Sequence, residues 1–267
     1  MSYNKHHFEK PELSVEELSK ALYEVNLKLQ QANQELKAQE KMRLDFYANI
    51  SHDLRAPITA LSNSIEYMLS NVQLTQTEIT ETLSIMQKRT SYLERLINDI
   101  FLLSSLESSD SKVRKEQVNM QFFLEDYFYM SEADSRFEQA NLTLDIPEHL
   151  NLTLSIDPVL MQRVLDNLFT NALKYSKGIP SITLGAYIEN NQFIIFVEDL
   201  GIGIARKHLT KIFERSYMIE KSRTPNSESS SGFGLSIVKS VIEHHNGSIS
   251  CESEIGKGSR FIIRLPL

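Results

Sequence analysis

Apolar residues recur at alternating steps of three and four near the start of this chain, and that spacing restricts the region to a long helix. The repeat occupies seven positions: Val15, Leu18, Leu22, Val25, Leu29, Ala32 and Leu36. The intervening positions are rich in Glu, Lys, Gln and Asn, so the apolar side chains form one narrow seam. Because a single helix would leave this seam in water, the pattern predicts a dimeric coiled coil over residues 14–44. Residues 1–13 are expected to be a flexible N-terminus.

A second apolar stripe continues the helical spacing beyond residue 44. Its members are Ile50, Leu54, Ile58, Leu61, Ile65 and Met68. His52 lies about 200° of helical arc from both Ile50 and Leu54, so we expect its imidazole to point into solvent. Asp53 follows His52 directly in the chain. A lone histidine is most often an ordinary surface or core residue, so these two residues indicate no function by themselves.

A polar break at residues 71–77 is predicted to end the first helix, and a second helix follows it. The apolar stripe of the second helix comprises Ile79, Leu83, Met86, Leu93, Ile97 and Ile100. Residues 45–107 are therefore expected to form a helical hairpin. Because each hairpin alone leaves its stripe exposed, two hairpins from two chains would pack as a four-helix bundle, which makes the protein a homodimer.

The remainder of the chain combines helical and strand-like patterns. Residues 108–117 are charged and rich in serine, which is typical of a linker, and residues 118–267 are expected to form a further domain. Short strands are predicted at residues 142–146, 181–184, 193–197 and 260–264. The predicted fold class is therefore multidomain, α followed by α+β, with helices packed on a mixed or antiparallel sheet in an α/β sandwich.

Bulk composition excludes several classes of protein. The net charge of −7 disfavours a nucleic-acid binder. No run of about 20 apolar residues is present, so we expect no membrane span in this chain, and no signal peptide opens it. Cys251 is the single cysteine, which suits a reducing cytoplasm. We expect a cytoplasmic location, either for a soluble protein or for the cytosolic portion of a membrane-bound one.

Two asparagines one helical turn apart are candidates for binding a metal ion. Asn167 and Asn171 share one face of a predicted helix, and Lys174 and Tyr175 follow closely. Amide oxygens can coordinate Mg²⁺, and a lysine supplies a point charge for phosphates. From the spacing alone, an ordinary pair of surface asparagines is an equally open interpretation.

Two glycine-containing segments further along are candidates for contacting a nucleotide. Asp199 would end a buried strand, where its carboxylate could accept a hydrogen bond from the amine of adenine. Gly201 and Gly203 would let the backbone approach the ring. Gly232 and Gly234 lead into a helix whose N-terminal N–H groups favour phosphate. Each pattern alone is also common in ordinary turns.

Five segments between residues 46 and 238 resemble motifs of the sensor histidine kinases, and they occur in the same order as in that family. The motifs are the phospho-acceptor box, the N box, the Asp-x-Gly-x-Gly box, the F box and the second glycine box. The F-box resemblance lies at residues 212–217 and includes the basic residue Arg215. Residues 220–231 follow it, are polar and fit a flexible lid, and they include a second basic residue, Lys221. The resemblance implies a Bergerat ATP-binding fold, with ATP and Mg²⁺ as cofactors.

The same resemblance assigns roles to individual residues. It implies that His52 is phosphorylated from ATP and that Asp53 assists as a base. It makes Asn171 the Mg²⁺ ligand with Asn167 as its partner. The nucleotide-binding set implied by the family motifs is Asn167, Asn171, Lys174, Tyr175, Asp199, Gly201, Gly203, Arg215, Gly232, Gly234 and Leu235. The phosphoryl group would then pass to an aspartate in the receiver domain of a response regulator, and the N-terminal coiled coil would connect to a sensor domain or partner.

Three positions depart from the family pattern. The family commonly has a second aromatic where this chain has Ser216 and a basic residue where it has Met218. Four residues after the histidine the family commonly has Thr or Asn, which can hold a water molecule, whereas Ala56 cannot hydrogen-bond through its side chain. We therefore expect weak phosphatase activity toward the regulator, unless Thr59 substitutes.

Two alternatives remain open at this stage. A gyrase-like, Bergerat-fold ATPase would keep the nucleotide motifs without using His52 as an acceptor. A dimeric phosphotransfer scaffold without autokinase activity would keep the hairpin without binding nucleotide. Protein-bound phosphate separates the first alternative from a kinase, and nucleotide binding separates the second.

Overall fold

A computed structural model describes residues 15–71, 73–107, 113–215, 217, 219 and 232–267 of the 267-residue chain. The predicted N-terminal tail, half of the predicted linker and the predicted lid lie outside those residues, as do Ser216, Met218 and Lys221. The chain divides into two structural units between His52 and Asp53. Helix α1 (Val15–Ser70) contributes residues to both units.

The first unit is helical over its described residues, as the heptad spacing predicts. The six large side chains of the seam are exposed by between 62% and 87%: Val15, Leu18, Leu22, Val25, Leu29 and Leu36. An unpaired helix offers these side chains nothing to pack against, so the exposed seam is what a helix awaiting a partner presents. At the end of this unit Ile50 is buried and His52 is exposed, as their positions on the helix predict.

The second unit begins with the remainder of α1 and with α2 (Gln76–Glu107). Thr75 and Glu78 form a capping box at the start of α2, in which the Thr75 N–H donates to the Glu78 carboxylate at 2.8 Å and the Glu78 N–H donates to Thr75 Oγ1 at 3.3 Å. Leu96 and Leu103 of α2 are buried, and α2 packs against the last helix of the chain.

The rest of the second unit, from Glu116 onward, contains two sheets and three α-helices among its described residues. The secondary-structure elements are β1 (Glu116–Asn119), α3 (Met120–Ala133), β2 (Asn141–Asp145), β3 (Thr153–Ile156), α4 (Pro158–Lys174), β4 (Ser181–Glu189), β5 (Gln192–Asp199), α5 (Gly234–His244), β6 (Ser248–Glu254) and β7 (Gly258–Pro266). Strands β1 and β3 form an antiparallel pair. The larger sheet has the strand order β2-β4-β5-β7-β6, with β2 and β4 parallel and the other pairs antiparallel, so the sheet is mixed.

Strand β1 begins at Glu116, inside the segment that the sequence predicted to be linker. Glu116 pairs with Ile156 and Gln117 pairs with Ser155, so both residues belong to the smaller sheet. The four residues of β1 carry little apolar character of their own. Their strand depends on a partner almost forty positions away, and a local pattern does not reveal such a partner.

Helix α4 lies along β4 and β5 and supplies much of the core. Its buried residues are Met161, Val164, Leu165, Leu168, Phe169 and Ala172. Asp157 starts the helix because its side chain accepts from the Leu160 N–H at 3.1 Å, and Pro158 follows at a position that needs no backbone donor. Arg163 of α4 donates to Asp99 of α2, an ion pair that joins the hairpin to this helix.

The two faces of the larger sheet carry different rows of side chains. On one face, Ile182, Asp199 and Ser259 occupy one row across β4, β5 and β7. The next rows on that face are apolar and buried: Leu184, Val197 and Phe261, then Ala186, Ile195 and Ile263. Asp199 and Ser259 therefore make a polar end to a face that is apolar in its next two rows.

None of the helices in the part of the chain that the structure describes is both long enough and apolar enough to cross a bilayer.

The opposite face of the sheet has a smaller cluster centred on Phe196. Ile194 and Ile262 are buried beside Phe196. The Phe196 ring covers Gly185 on the neighbouring strand, where ring atoms occupy the space that a Cβ would need. The Arg260 guanidinium lies 3.7 Å from the centroid of the Phe196 ring and pairs with Glu198 at 3.3 Å. The ring is thus confined between the glycine and the guanidinium.

Replacing Gly185 with alanine should lower the free energy of unfolding by about 1–3 kcal/mol, because the confined ring cannot move aside without strain. Urea denaturation of the full chain measures this loss. Adding Phe196→Leu should remove the clash, so the double variant should be less destabilised than the sum of the two single variants. Strict additivity would contradict the proposed contact.

Candidate functional site

Helix α4 buries one side and directs its two asparagines to the other. Asn167 and Asn171 are both half-buried. The Asn167 amide nitrogen donates to the Arg163 carbonyl at 2.9 Å, which fixes the direction of the side chain. Because the amide nitrogen is used in that bond, the carbonyl oxygen Oδ1 of Asn167 points toward Gly234. This face of α4 therefore presents an oxygen that could act as a ligand.

The glycine loop at the start of α5 lies against that asparagine. A Cβ built on Gly234 would lie 2.9 Å from Asn167 Oδ1, so a larger residue there would push the asparagine side chain out of its present position. Gly232 has a φ of +68°, in the left-handed region that favours glycine. The structure therefore brings together the N-box and second-glycine residues, which are 67 positions apart in the sequence.

The start of α5 is suited to binding an anion. Gly234 is its first helical residue and Leu235, the second, is half-buried. Phe233 precedes the helix with its side chain fully buried, and no side chain among the described residues caps the first turn. The N–H groups of that turn point away from the helix and carry its positive dipole end, which favours phosphate oxygens.

Asp199 is the buried carboxylate of the site, with 5% of its surface exposed. Its Oδ1 accepts from the Gly201 N–H at 2.8 Å. Burial raises the pKa of the Asp199 carboxyl above its ordinary value, while hydrogen bonds from the Gly201 and Ser259 backbones oppose that shift. A buried carboxylate of this kind is costly to the fold, which is expected of a group retained for binding.

The glycines after Asp199 are required by backbone contacts. A Cβ on Gly201 would lie 2.5 Å from the Tyr175 carbonyl oxygen. The same carbonyl accepts from the Ile202 N–H at 2.9 Å. Gly203 has a φ of +70°, and a Cβ there would meet the carbonyl of Glu254. The end of α4 at Tyr175 is thus tied directly to the Asp-x-Gly-x-Gly loop.

The two predicted cationic residues lie at the surface. Lys174 is exposed, with its Nζ 5.3 Å from the centroid of the Tyr175 ring. Arg215 is also exposed, and it follows Phe213, whose ring packs edge-on to that of Phe261 at 6.4 Å. Phe213 therefore anchors this segment to Phe261 on β7.

His52 and Asp53 fall on either side of the division between the two structural units. His52 is exposed on α1, where a reacting partner can reach its imidazole. Asp53 is half-buried on the same helix, and Ala56 and Thr59 are exposed.

Two serines beside Asp199 were not anticipated from the sequence. Ser259 lies opposite Asp199 in the β5–β7 register and is buried. Ser253 Oγ lies 3.0 Å from Ser259 Oγ, accepts from the Ile204 N–H at 2.7 Å and donates to the Gly258 carbonyl at 2.6 Å. Gly256 and Gly258 indicate a turn between these serines in the sequence. The strand register is still needed to place the serines beside Asp199.

Cys251 lies on the same face of the sheet as Asp199, one row away. Burial, together with the Asp199 charge, raises the pKa of the Cys251 thiol to about 12. The side chain is therefore a neutral thiol at physiological pH, as expected of a packed strand residue rather than a reactive one.

The donor set at α4 fits a hard cation better than a transition metal. No group of three or more His, Cys, Asp or Glu side chains is arranged for a metal ion within the described ranges. Asn167 presents its amide oxygen toward the glycine loop, as its hydrogen bond to Arg163 requires. Amide oxygens together with substrate phosphates are ligands that suit Mg²⁺.

Comparison with known families matches two parts of the chain. Residues 42–109 match the His Kinase A (phospho-acceptor) domain. Residues 156–267 match the family described as histidine kinase-, DNA gyrase B-, and HSP90-like ATPase. The first match contains His52, and the second contains both asparagines, Asp199 and the glycine loop.

Individual relatives agree with those matches. The sensor protein SrrB of Staphylococcus aureus is 34% identical over 229 residues, which is 85% of this chain and 38% of SrrB. This chain thus spans well under half the length of that relative. The histidine kinase AdeS of Acinetobacter baumannii has the same fold, with a TM-score of 0.61 at 24% identity over 80% of this chain and 97% of AdeS. Histidine kinase ThkA, in a complex with response regulator protein TrrA, aligns with a TM-score of 0.69 at 21% identity over 90% of this chain and 66% of that chain.

Asp199→Asn should separate binding from stability. Because burial raises the pKa of the Asp199 carboxyl, its ionised form weakens the fold at pH values above that pKa, and this cost disappears as the pH falls and the carboxyl is protonated. The amide can still accept from the Gly201 N–H. At pH 7 the variant should therefore be as stable as the parent protein or more stable, while its affinity for ATP falls by roughly tenfold or more.

Thermal unfolding and calorimetric titration with ATP measure these two effects. Glu252→Gln, an exposed position on β6, is the matched control and should change neither quantity. A clear loss of stability in Asp199→Asn at pH 7 would contradict the cost assigned to the buried charge.

Proposed function

We propose that this chain, which belongs to the sensor histidine kinases of two-component systems, phosphorylates itself on His52 with ATP as the donor. It then passes the phosphoryl group to a response regulator. The observation that supports this most directly is the contact between Gly234 and Asn167 in the ATPase-like domain of a chain that also carries an exposed histidine in a phospho-acceptor domain.

In the proposed complex, adenine binds at the end of β5. The Asp199 carboxylate accepts a hydrogen bond from the exocyclic amine through the oxygen that the Gly201 N–H does not occupy. Gly201 and Gly203 keep the backbone free of side chains beside the ring. Ser259, next to Asp199, provides a further polar group at the same end of the strand.

The triphosphate would extend from the adenine site toward α4 and α5. The first-turn N–H groups after Gly232, at Gly234 and Leu235, face the phosphates. Lys174 and Arg215 are the proposed side-chain cations, and Tyr175 lines the junction between α4 and the loop. Mg²⁺ would be held by Asn171 with Asn167 as its partner, and it would neutralise phosphate charge when bound.

The proposed reaction is a direct phosphoryl transfer to an imidazole nitrogen. A neutral His52 attacks the γ-phosphorus, a P–N bond forms, and the bond from phosphorus to the β–γ bridging oxygen breaks so that ADP leaves. Asp53 orients the imidazole or takes its proton, because a protonated imidazole has no lone pair for attack. The phosphohistidine then supplies the phosphoryl group to a receiver-domain aspartate. Such transfers depend mainly on positioning and charge neutralisation.

A homodimer is the proposed functional state. The exposed seam from Val15 to Leu36 supports pairing of two chains through a coiled coil, and two hairpins would complete a four-helix bundle. The coiled coil would connect these domains to a sensor domain or a partner. We place both domains in the cytoplasm, because ATP is available there.

Incubation of the full chain with γ-labelled ATP and Mg²⁺ should label the protein with acid-labile phosphate. His52→Gln should abolish the label, because no other nucleophile is assigned. Asn171→Ala should reduce the initial rate by roughly a hundredfold, as expected when a group that binds metal and phosphate is removed. His149→Gln and Asn151→Ala are the matched controls, because both residues are exposed and lie outside the proposed site. Both variants should retain normal labelling.

Other outcomes would favour a different function. ATP hydrolysis without label on the protein would indicate a Bergerat-fold ATPase. Absence of nucleotide binding would indicate a phosphotransfer scaffold.

Weak phosphatase activity toward the phosphorylated regulator is a further part of this proposal. Ala56 is exposed four residues after His52 and offers no hydroxyl or amide to hold a water molecule. With ADP present, Ala56→Thr should release phosphate from the regulator about tenfold faster than the parent protein, if a positioned water contributes as such groups usually do. Fast release by the parent protein that disappears in Thr59→Ala would instead assign this role to Thr59.

A further inference from the structure

Helices α4 and α5 meet at two points, one at each end of an antiparallel pair. At one end Gly234 of α5 lies against Asn167 of α4. At the other end the Asp157 N–H, just before α4, donates to Nε2 of His245, just after α5, at 2.9 Å. Asp157 and Asn167 are ten positions apart, and Gly234 and His245 are eleven positions apart. At the rise of an α-helix, the two contacts are therefore about 15–17 Å apart along each helix.

The hydrogen bonds of His245 define its protonation state. Nε2 accepts from a backbone N–H and therefore carries no proton. Nδ1 lies 2.7 Å from the Val241 carbonyl, which can only accept, so Nδ1 carries the proton. His245 is thus neutral with both nitrogens satisfied, and it is buried with 5% of its surface exposed.

Asp157 connects His245 to two further parts of the domain. Its Oδ1 accepts from the Leu160 N–H at 3.1 Å, which starts α4. Its Oδ2 accepts from the Arg114 N–H at 2.9 Å, where the chain enters the domain. With 8% of its surface exposed, Asp157 is a fixed point at the start of α4.

We propose that His245 is a positioning residue that sets the register of α5 along α4 and thereby the separation between the phosphate-binding glycine loop and the two asparagines. This inference rests on the proposed nucleotide site. His245 contacts no nucleotide in it; the side chain acts through the rigid length of the two helices.

The physical argument is that apolar packing alone leaves the register weakly specified. Helices α4 and α5 pack together, and the buried side chains of both are largely apolar. Apolar packing has little directionality along the helix axes. The bond from Asp157 to His245 is directional and buried, so it holds α5 at one position. A slide of one residue would move Gly234 about 1.5 Å relative to Asn167.

Protonation of His245 should release this constraint. A proton on Nε2 would place two N–H donors against each other at Asp157. Burial, followed by the charges of Lys115 and His244, lowers the pKa of His245, while the Val241 carbonyl and the Asp157 carboxylate oppose the shift. The neutral form is therefore favoured in the folded protein. As the pH falls below about 6.5, the unfolded chain takes up the proton first, so the contribution of this contact to stability decreases with acidification.

Calorimetric titration of the full chain with ADP and Mg²⁺ at pH 7.5 and pH 5.8 tests the proposal. His245→Leu removes the acceptor and should weaken ADP binding roughly tenfold at both pH values. His245→Gln keeps an amide that can accept from Asp157 and donate to Val241 but does not titrate. It should bind ADP within about twofold of the parent protein at pH 7.5 and lose less affinity than the parent at pH 5.8.

His244→Gln is the matched control, because His244 is the adjacent histidine and its Nδ1 contacts the Ser240 carbonyl on its own helix. It should follow the parent protein at both pH values. Any change caused by titration of ADP or of Asp199 appears equally in the parent and in both glutamine variants, and is removed by taking ratios.

Thermal unfolding of the same variants distinguishes positioning from stability alone. A lower melting temperature in His245→Leu with unchanged ADP affinity would overturn the proposal. If that variant does not fold, equal losses of affinity in the parent and His245→Gln at pH 5.8 would overturn it. A parent protein that binds ADP but leaves His52 unlabelled would refute the kinase assignment only, whereas a parent that does not bind ADP would refute both.

Discussion

The candidate site depends on the burial of one side of α4 against β4 and β5. Leu165, Leu168 and Phe169 are fully buried there, and a helix that commits this side to the core must present its other side elsewhere. The other side carries Asn167 and Asn171, and α5 packs beside it. The direction in which Asn167 and Asn171 point therefore follows from an apolar contact that contains neither of them.

Directional bonds then refine what apolar packing leaves open. Asn167 is oriented by the Arg163 carbonyl, Asp199 by the Gly201 N–H, and the start of α4 by the Asp157 carboxylate. Each of these bonds uses the backbone as a partner, so each depends on the local path of the chain and on glycines that let the path pass closely. These bonds orient the side chains that would meet adenine and metal-bound phosphate, and phosphoryl transfer depends mainly on such positioning.

Several elements were predictable because their signals are local. The heptad seam, the break after Ser70 and the helix carrying the asparagines all follow from spacing and side-chain chemistry within a few residues. Strand β1 and the serines beside Asp199 were not predictable in the same way. Their roles come from pairing with strands far away in the chain, and the register of such pairs is set by the whole sheet.

The amino-acid sequence by itself determined which chemical groups this protein has and the order in which they occur: an acceptor-like histidine on a helix, paired asparagines, a carboxylate before two glycines, and a glycine loop before a helix. It could do so because these are short patterns of covalent neighbours. Only the tertiary structure decided that Gly234 lies against Asn167, that Ser259 lies beside Asp199, and that His245 joins the far ends of α4 and α5. Those contacts arise when helices and strands that are distant in sequence bury their apolar faces together. No single segment of the sequence shows them, because the distances between the groups are set by how the segments pack.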